Sequence, residues 1–574
     1  MSQQLPLKRR LDMQRASMKA ERATWEPVWR DLHQWVLPDR CQFNLTDANR
    51  GTMGFQHGII DSTPVLATRT LSAGLMSGMT SPARPWFRFT TEDPDLAEFL
   101  PVRQWLEHCE DRLRRAFRSS NLYQALPIAY GNCGVFGTEA IIMDEDFGAA
   151  PGADDVFRFY NLPIGSYYLS AGYRGLVDCL CREISMTVRQ VVERWGERTV
   201  SPAVRQQWER CAYESPVTVI HCIAPNPEAD PTRAHARYKR FLSVYYEASG
   251  AGGGGNSGDD GFLSRSGYDD FPALAPRWEV TGRNVYGFGA GRQILGDARA
   301  LQAYERRIAE AVAKEVNPPL LAPSSLRGNE VQAIPGGITY YDESSGNGGQ
   351  SGIRSLYEQR FNYSGAQQQA ERCRQGIRRG LFEDLFLMLA NSDRRQVTAE
   401  EIRAKQEEKI LALGPVLERF NDELLDPLVE RGFAILLRRR LLPPPPREIA
   451  GMKLGIEYIS TLGQVQKMLG LGAIDRVLGV VGNLASVDPS VLDKIDRDKV
   501  VETYVDMLGA TTGILRSDKE VQALRAGRAQ AQAQARQQAD LQGQAQAAQV
   551  LSKTDTRGDN GLTDLIRTQS GAQV

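Results

Sequence analysis

The chain has no excess charge of either sign: 69 Lys and Arg face 70 Asp and Glu in 574 residues. A protein that grips nucleic acid by neutralising phosphates carries a basic surplus, so any contact with a polyanion here is confined to a small patch. Cysteine is sparse, with eight residues, and no disulfide scaffold is expected. The one close pair, Cys179 and Cys181 in "DCLCRE", has no second Cys or His pair at zinc spacing. Both are read as buried thiols in a reducing cytoplasm. No apolar run approaches the ~20 residues a bilayer demands. The basic start "MSQQLPLKRRLDMQ" lacks the apolar centre of a signal peptide.

Catalytic signatures are equally absent. No G-x-x-x-x-G-K-[ST] phosphate loop, H-E-x-x-H metal motif or G-x-S-x-G nucleophile turn occurs. The five histidines (33, 57, 108, 221, 235) are scattered and read as surface or core residues. "GFGAGRQ" (287–293) imitates a dinucleotide fingerprint but places Arg292 where the third glycine belongs, in a turn before a helix. "DED" at 144–146 reads as carboxylates in a solvated turn rather than a cation site. No cofactor, metal or catalytic residue is expected, and the chain is not read as an enzyme.

Hydrophobic residues make up 42% and charged residues 24%, so a real core can form, and the length suits about four domains. The fold class expected is α+β, mainly helical. The first 36 residues read as one helix on the spacing of Trp25, Val28, Trp29, Leu32 and Trp35. Helices follow at 62–79, capped by Ser62 or Thr63 with Pro64 in the first turn, and at 101–130. The period then shortens: "TEAIIM", "VFRFYNL", "SYYLSA", "LVDCLCREI", "VTVIHCIA" and "KRFLSVYYEA" read as a sheet, interrupted by a helix at 186–196. Residues 248–262, "ASGAGGGGNSGDDG", read as a flexible surface loop.

From 296 onward helices dominate. Asp297 is expected to cap the first, which stops at "NPP" (317–319) after a rod of about 30 Å. Residues 317–355 are Pro- and Gly-rich, and a second helix covers about 357–390. "NSDRRQ" follows, and a capping box of Thr398 and Glu401 opens a long helix that Pro415 and Pro427 bend and "LLPPPP" (441–446) ends. Residues 452–520 read as three or four short helices. Ten Ala and ten Gln among residues 521–549 favour a helix poor in core residues, and 552–574 is expected to be disordered.

Several stretches together resemble the head-to-tail connector, or portal, proteins of short-tailed double-stranded DNA phages. They are "DSTPVLATRTLSAGLMSGMTSPARPWFRF" (61–89), "CREISMTVRQVVERWG" (181–196) and "RNVYGFGAGRQILGDARALQ" (283–302). "NPPLLAPSS" (317–325) and "ANSDRRQVTAEEIRAKQEEKILALGPVLERFNDELLDPLVERGF" (390–433) complete the order. The resemblance implies a ring, usually of twelve copies, at one capsid vertex, through which double-stranded DNA is packaged and ejected. It implies a wing over 1–295, stem helices over 296–316 and 356–390, and a clip over 317–355. A tunnel loop over 391–397, a kinked helix over 398–450 returning to the wing, a crown over 451–520 and a helical tail over 521–551 complete that map. Expected partners are other copies of the chain, a terminase packaging motor, tail adaptor proteins, and capsid and scaffolding proteins. The expected location is the virion, after assembly in the host cytoplasm.

Two candidate sites follow from the resemblance. The clip surface (Asn317, Pro318, Pro319, Leu320, Leu321, Pro323) is expected to dock the motor and the tail. The tunnel loop (Asn391, Ser392, Asp393, Arg394, Arg395, Gln396) is expected to face DNA. From the residues alone, that loop reads first as a solvated helix–helix turn; the resemblance is what favours the DNA-facing reading. Twelve helices packed 8–10 Å apart describe a circle about 30–40 Å across. Subtracting about 5–6 Å of helix radius at each side leaves a lumen of about 20–30 Å, a bore for a duplex. Alternative readings are a nuclease or motor subunit, an internal virion scaffold protein, or a non-catalytic subunit of a DNA-processing machine.

Overall fold

The computed structural model describes residues 6–38, 40–44, 59–93, 96, 99–146, 156–248, 261–316, 320–321, 354–355, 362–391, 413–449, 451–459, 477–482, 484, 499–501 and 518–553. They fall into two compact units, 1–466 and 467–574.

The first unit opens with α1 (Leu7–Ala23) and α2 (Glu26–Trp35). The single helix expected over residues 1–36 is broken because Pro27 has no N–H to continue the ladder and Trp25 turns onto the rings of Tyr286 and Phe288. Helix α3 (Thr63–Met79) matches expectation, but Ser62 makes no side-chain cap. Asp61 caps instead, its Oδ1 accepting from the Thr63 N–H at 2.7 Å. Strand β1 (Phe87–Thr90) follows. The helix expected over 101–130 is two, α4 (Leu100–Ser119) and α5 (Leu122–Phe136). Asn121 stands at the break and exchanges two hydrogen bonds with the backbone of Phe159, at 2.8 and 2.9 Å.

The β region builds two sheets. Strands β2 (Ile141–Glu145) and β3 (Phe157–Asn161) join a short β9 (Ala273–Leu274) in the order β3–β2–β9. Strands β4 (Tyr167–Ala171), β5 (Val177–Thr187), β6 (Pro216–Pro225), β7 (Phe241–Glu247) and β8 (Ser264–Tyr268) form an antiparallel meander in chain order. Alternation of side chains gives the meander two apolar faces. Ile220, Cys222 and Val244 pack against Leu11 and Met18 of α1. Val217 and Val219 pack against the helices α6 (Val188–Trp195) and α7 (Pro202–Glu209). Helix α7, β8 and β9 had no expectation in the sequence. The Gly-rich expectation at 248–262 falls outside the described residues over 249–260.

Two chemical expectations in this region change. Cys181 is not a free thiol: it stands directly opposite Cys222 in the β5–β6 register and is joined to it in a disulfide, with Cα atoms 4.2 Å apart. Cys179 remains a buried thiol. Within "DED" the Glu145 carboxylate is structural: it holds Arg439 at 2.7 Å, and the backbone carbonyl of Asp146 accepts from the same guanidinium at 2.6 Å. His221 is the core residue expected. It stacks on Tyr245 with centroids 4.0 Å apart and accepts at Nδ1 from Arg182. Burial and the nearby arginines keep it neutral by lowering its pKa well below the usual histidine range.

Helix α8 (Ala290–Val316) starts seven residues before Asp297, which is therefore inside the helix rather than its cap. The glycines of "GFGAGRQ" explain the early start. A Cβ on Gly287 would lie 2.4 Å from the Gly137 carbonyl oxygen, and on Gly289 or Gly291 it would lie 2.5 or 2.4 Å from that of Val135. They let α8 begin against the end of α5, where Gly137 closes the helix at φ +87°. The nucleotide-like motif is a backbone-on-backbone contact.

Beyond α8 come the short antiparallel strands β10 (Leu320–Leu321) and β11 (Arg354–Ser355), and then α9 (Tyr363–Gly380) and α10 (Glu383–Asn391). The helix expected over 357–390 is thus interrupted at Phe382, whose φ of +57° lies in the left-handed region. The capping box of Thr398 and Glu401 lies outside the described residues. The return rod is helical over 413–420 (α11), passes through a π-helical turn at Asn421–Leu425 and continues as α12 (Asp426–Arg438). In that turn the Asp426 N–H reaches back to the Asn421 carbonyl, so the register shifts just before Pro427.

Residues 455–458 correct the all-helical expectation for 452–520. They are strand β12 (Gly455–Tyr458), paired with β1 so that Tyr458 faces Phe87 and Ile456 faces Phe89. The second unit contains α13 (Asp518–Lys553), the Ala/Gln helix, 36 residues long. Residues 554–574, expected to be disordered, lie outside the described residues.

Candidate functional site

The residues that carry the candidate sites lie around an antiparallel pair of helices, α8 and α9. Ile294, Ala298, Leu301, Glu305, Ile308, Val312 and Glu315 recur at 3–4 spacing on α8, which is one stripe of a helix. On α9 the matching stripe is Tyr363, Ala370, Ile377 and the following Leu381. The pairing is fixed at both ends. Gly380 lies under Ile294, where a Cβ would meet the Ile294 Cγ2 at 2.3 Å. At the far end the Tyr363 hydroxyl donates to Glu315.

Midway, Arg374 of α9 ties the pair to the rest of the first unit. Its guanidinium reaches Glu305 of α8 at 2.5 Å, Asp61 before α3 at 2.8 Å and Glu371 at 3.3 Å. Asp61 is further held by Gln302 of α8, whose Oε1 accepts from the N–H of Ile60 and Asp61 and whose Nε2 donates to the Asp61 carbonyl. Hydrogen bonds from Thr63 and Arg374 lower the Asp61 pKa against the opposing effect of burial. Beyond the pair, α10 packs on α3 at Gly74, which lies directly under the Phe386 ring: a Cβ there would sit 2.1 Å from it.

The return rod is clamped to the wall beneath. Arg277 donates through its backbone N and its Nε to one oxygen of Glu423, both at 3.0 Å, and through a terminal nitrogen to the other at 2.6 Å. The pair is buried, with side-chain exposures of 3% and 7%. The same guanidinium donates to the carbonyls of Gly175, Asn284 and Val285. Nearby, Glu139 is enclosed, its carboxylate accepting from Asn132 at 2.9 Å and Asn161 at 3.3 Å. Desolvation pushes its pKa up to about 8. It is fully buried in the core and reads as structural.

Of the sequence-predicted site residues, Leu320 and Leu321 form β10, and Asn391 ends α10. Asn317, Pro318, Pro319, Pro323, Ser392, Asp393, Arg394, Arg395 and Gln396 lie outside the described residues. The β10–β11 pairing, Leu320 to Ser355 and Leu321 to Arg354, brings the two ends of the 317–355 excursion together. Sequence reasoning missed Arg374. The signal available was four arginines against one acid in α9, but which arginine turns inward depends on the packing partner. No group of His, Cys, Asp and Glu among the described residues is arranged to hold a metal ion. No described helix is long and apolar enough to cross a membrane.

Comparison with known proteins gives this architecture its context. The family model of the bacteriophage head to tail connecting protein matches residues 8–515. The chain is 42% identical to the portal protein of Salmonella phage epsilon15, over 99% of both chains. It is 38% identical to the probable portal protein of Bordetella phage BPP-1, over 96% of this chain and 97% of that one. A helix-rich α+β chain whose sequence matches these proteins almost from end to end belongs to the bacteriophage head-to-tail connecting protein family.

Proposed function

We propose that this chain is a phage portal protein: a ring of identical copies at one capsid vertex, through which double-stranded DNA enters during packaging and leaves during ejection. The observation that carries the reading is near-full-length similarity to two portal proteins. The antiparallel α8–α9 pair supports it, because a rod of this kind, repeated side by side around an axis, encloses a hollow of duplex width. The role is structural rather than catalytic. ATP-driven translocation falls to a separate terminase motor, and this chain supplies the conduit and the docking platform.

Within that reading α8 with α9 and α10 is the stem, and 317–355 is the clip, presenting Asn317, Pro318, Pro319, Leu320, Leu321 and Pro323 to the motor and later to tail adaptor proteins. The 391–397 segment is the tunnel loop. Arg394 and Arg395 touch passing phosphates while Asp393 limits the grip, which suits a channel that must let DNA slide. Residues 1–295 with the return rod form the wing, which meets capsid and scaffolding proteins, and 451–520 the crown.

Electron micrographs of the purified chain test the reading: cone-shaped rings with a central hole are expected, and monodisperse monomers under all assembly conditions would overturn it. The double substitution Arg394→Ala, Arg395→Ala tests the loop. Rings should still assemble while DNA packaging or retention falls, and unchanged packaging and retention would remove the loop from the mechanism.

A further inference from the structure

We infer that the outer face of α9 is a phosphate-contacting strip formed by Gln368, Arg372, Gln375 and Arg379, lying along the path of the duplex. The inference rests on the portal reading above. At about 100° per residue, Ala370 and Ile377 define the side of α9 that meets α8, and these four residues lie on the opposite side, within about 40° of its centre. Gln368, Arg372, Gln375 and Arg379 are all exposed. The spacing is 4, 3, 4, so they form one straight stripe.

Charge on α9 is sorted by face. Its single acid, Glu371, lies to the side and is engaged by Arg374 and Arg378. Arg378 also reaches Glu383 at 3.7 Å. Arg374 is spent on Asp61 and Glu305. No carboxylate among the described residues pairs with Arg372 or Arg379. Every group on the outer stripe can donate a hydrogen bond, and none is negative.

The alternative occupant is a neighbouring copy of the chain, and charge argues against it. The side of α8 that faces away from α9 carries Arg292, Arg299, Arg306, Arg307 and Lys314. Asp31 of α2 holds Arg299 at 2.5 Å and Glu310 holds Arg307 at 2.9 Å, which leaves Arg292, Arg306 and Lys314 without a paired carboxylate among the described residues. Setting that face on the α9 stripe of the next copy would oppose like charges. A polyanion satisfies the stripe. Arg372 and Arg379 are two turns apart, about 10.5 Å along the helix, so one subunit offers two separate phosphate contacts. This is enough to guide a duplex without holding it.

The test uses full-length rings carrying Arg372→Gln and Arg379→Gln, with Arg306→Gln and Arg307→Gln on α8 as the comparison. Binding of a short blunt DNA duplex is measured by fluorescence anisotropy across a salt series, with native mass recorded for each ring. Every arginine–phosphate pairing abolished lowers the log–log salt slope by about 0.9. The α9 variant should therefore show a slope smaller by about 1.8, for the two arginines of one engaged subunit, while the α8 variant keeps the wild-type slope. An unchanged slope in the α9 variant overturns the inference. So does collapse of its rings, which would make the stripe an interface between copies. Wild-type rings that bind no duplex at low salt overturn it too, yet leave the ring itself standing. Failure of the wild-type chain to form rings is the separate failure of the portal reading.

Discussion

Removing the Glu423 carboxylate is the sharpest probe of how the return rod is held. In Glu423→Ala the Arg277 guanidinium stays buried at 3% exposure, loses both carboxylate oxygens and keeps only carbonyl acceptors. Its own backbone N–H loses its acceptor as well. Breaking a buried pair from one side costs about 3–5 kcal/mol, because the remaining charge is left uncompensated. Arg419 adds a little more, since its partly exposed ion pair with Glu423 at 3.3 Å also disappears. Glu423→Gln keeps one acceptor oxygen and should cost less. Replacing both partners together, as Arg277→Met with Glu423→Leu, should recover much of the loss, because no charge is then stranded. The assay is urea denaturation of the full-length chain at fixed protein concentration, followed by tryptophan fluorescence. If Glu423→Ala lies within about 1 kcal/mol of wild type, the claim of a desolvated, closely paired clamp is wrong.

The remaining predictions concern a titrating core group and two tight packing positions. Glu139 has a folded-state pKa of about 8 against an ordinary 4.5, so the native state holds a proton that the unfolded chain releases. Its contribution is complete below the ordinary value and is lost as pH rises toward 8. Glu110, raised to about 7, acts in the same direction over a lower window, and His221 acts oppositely below the usual histidine range. Between pH 7 and 8 the wild type should therefore lose up to about 1.4 kcal/mol. Glu139→Gln should flatten that interval in a denaturation series, and an equally steep fall would refute the assignment. Gly74→Ala places a methyl against the Phe386 ring, and overpacking of this kind costs about 1–3 kcal/mol. A lowered Tm for the full-length chain is expected, and an unchanged Tm would show that α10 moves aside freely. Gly137→Ala combines a positive φ with a Cβ 2.2 Å from the Gly287 carbonyl oxygen. It should be more damaging than Gly74→Ala in the same Tm assay, and an equal or smaller drop would contradict the close backbone approach of α5 and α8.

Much of the architecture was legible before any coordinate. Short β-branched runs marked β2 to β7, and the Leu, Val and Phe stripe after 413 marked the return rod, because alternation and 3.6-residue periodicity are local properties. The helix ends were less legible. Asp297 looked like a cap by type, yet α8 starts at Ala290 because Gly287, Gly289 and Gly291 meet the backbone of Val135 and Gly137, residues about 150 positions away. Ser62 looked like a cap too, but Asp61 took that place.

By itself the sequence determined the helix-rich α+β class, and the order of its motifs pointed to the family. It set the near-zero net charge and the small doubly basic segment at Arg394 and Arg395. Tertiary structure alone decided which of four arginines on α9 turns inward to Asp61 and Glu305 and which two stay on the outer face. It also decided that Cys181 meets Cys222, and that residues 455–458 leave the helical pattern to pair with β1. Periodicity names the face of a helix; only long-range packing says what that face meets.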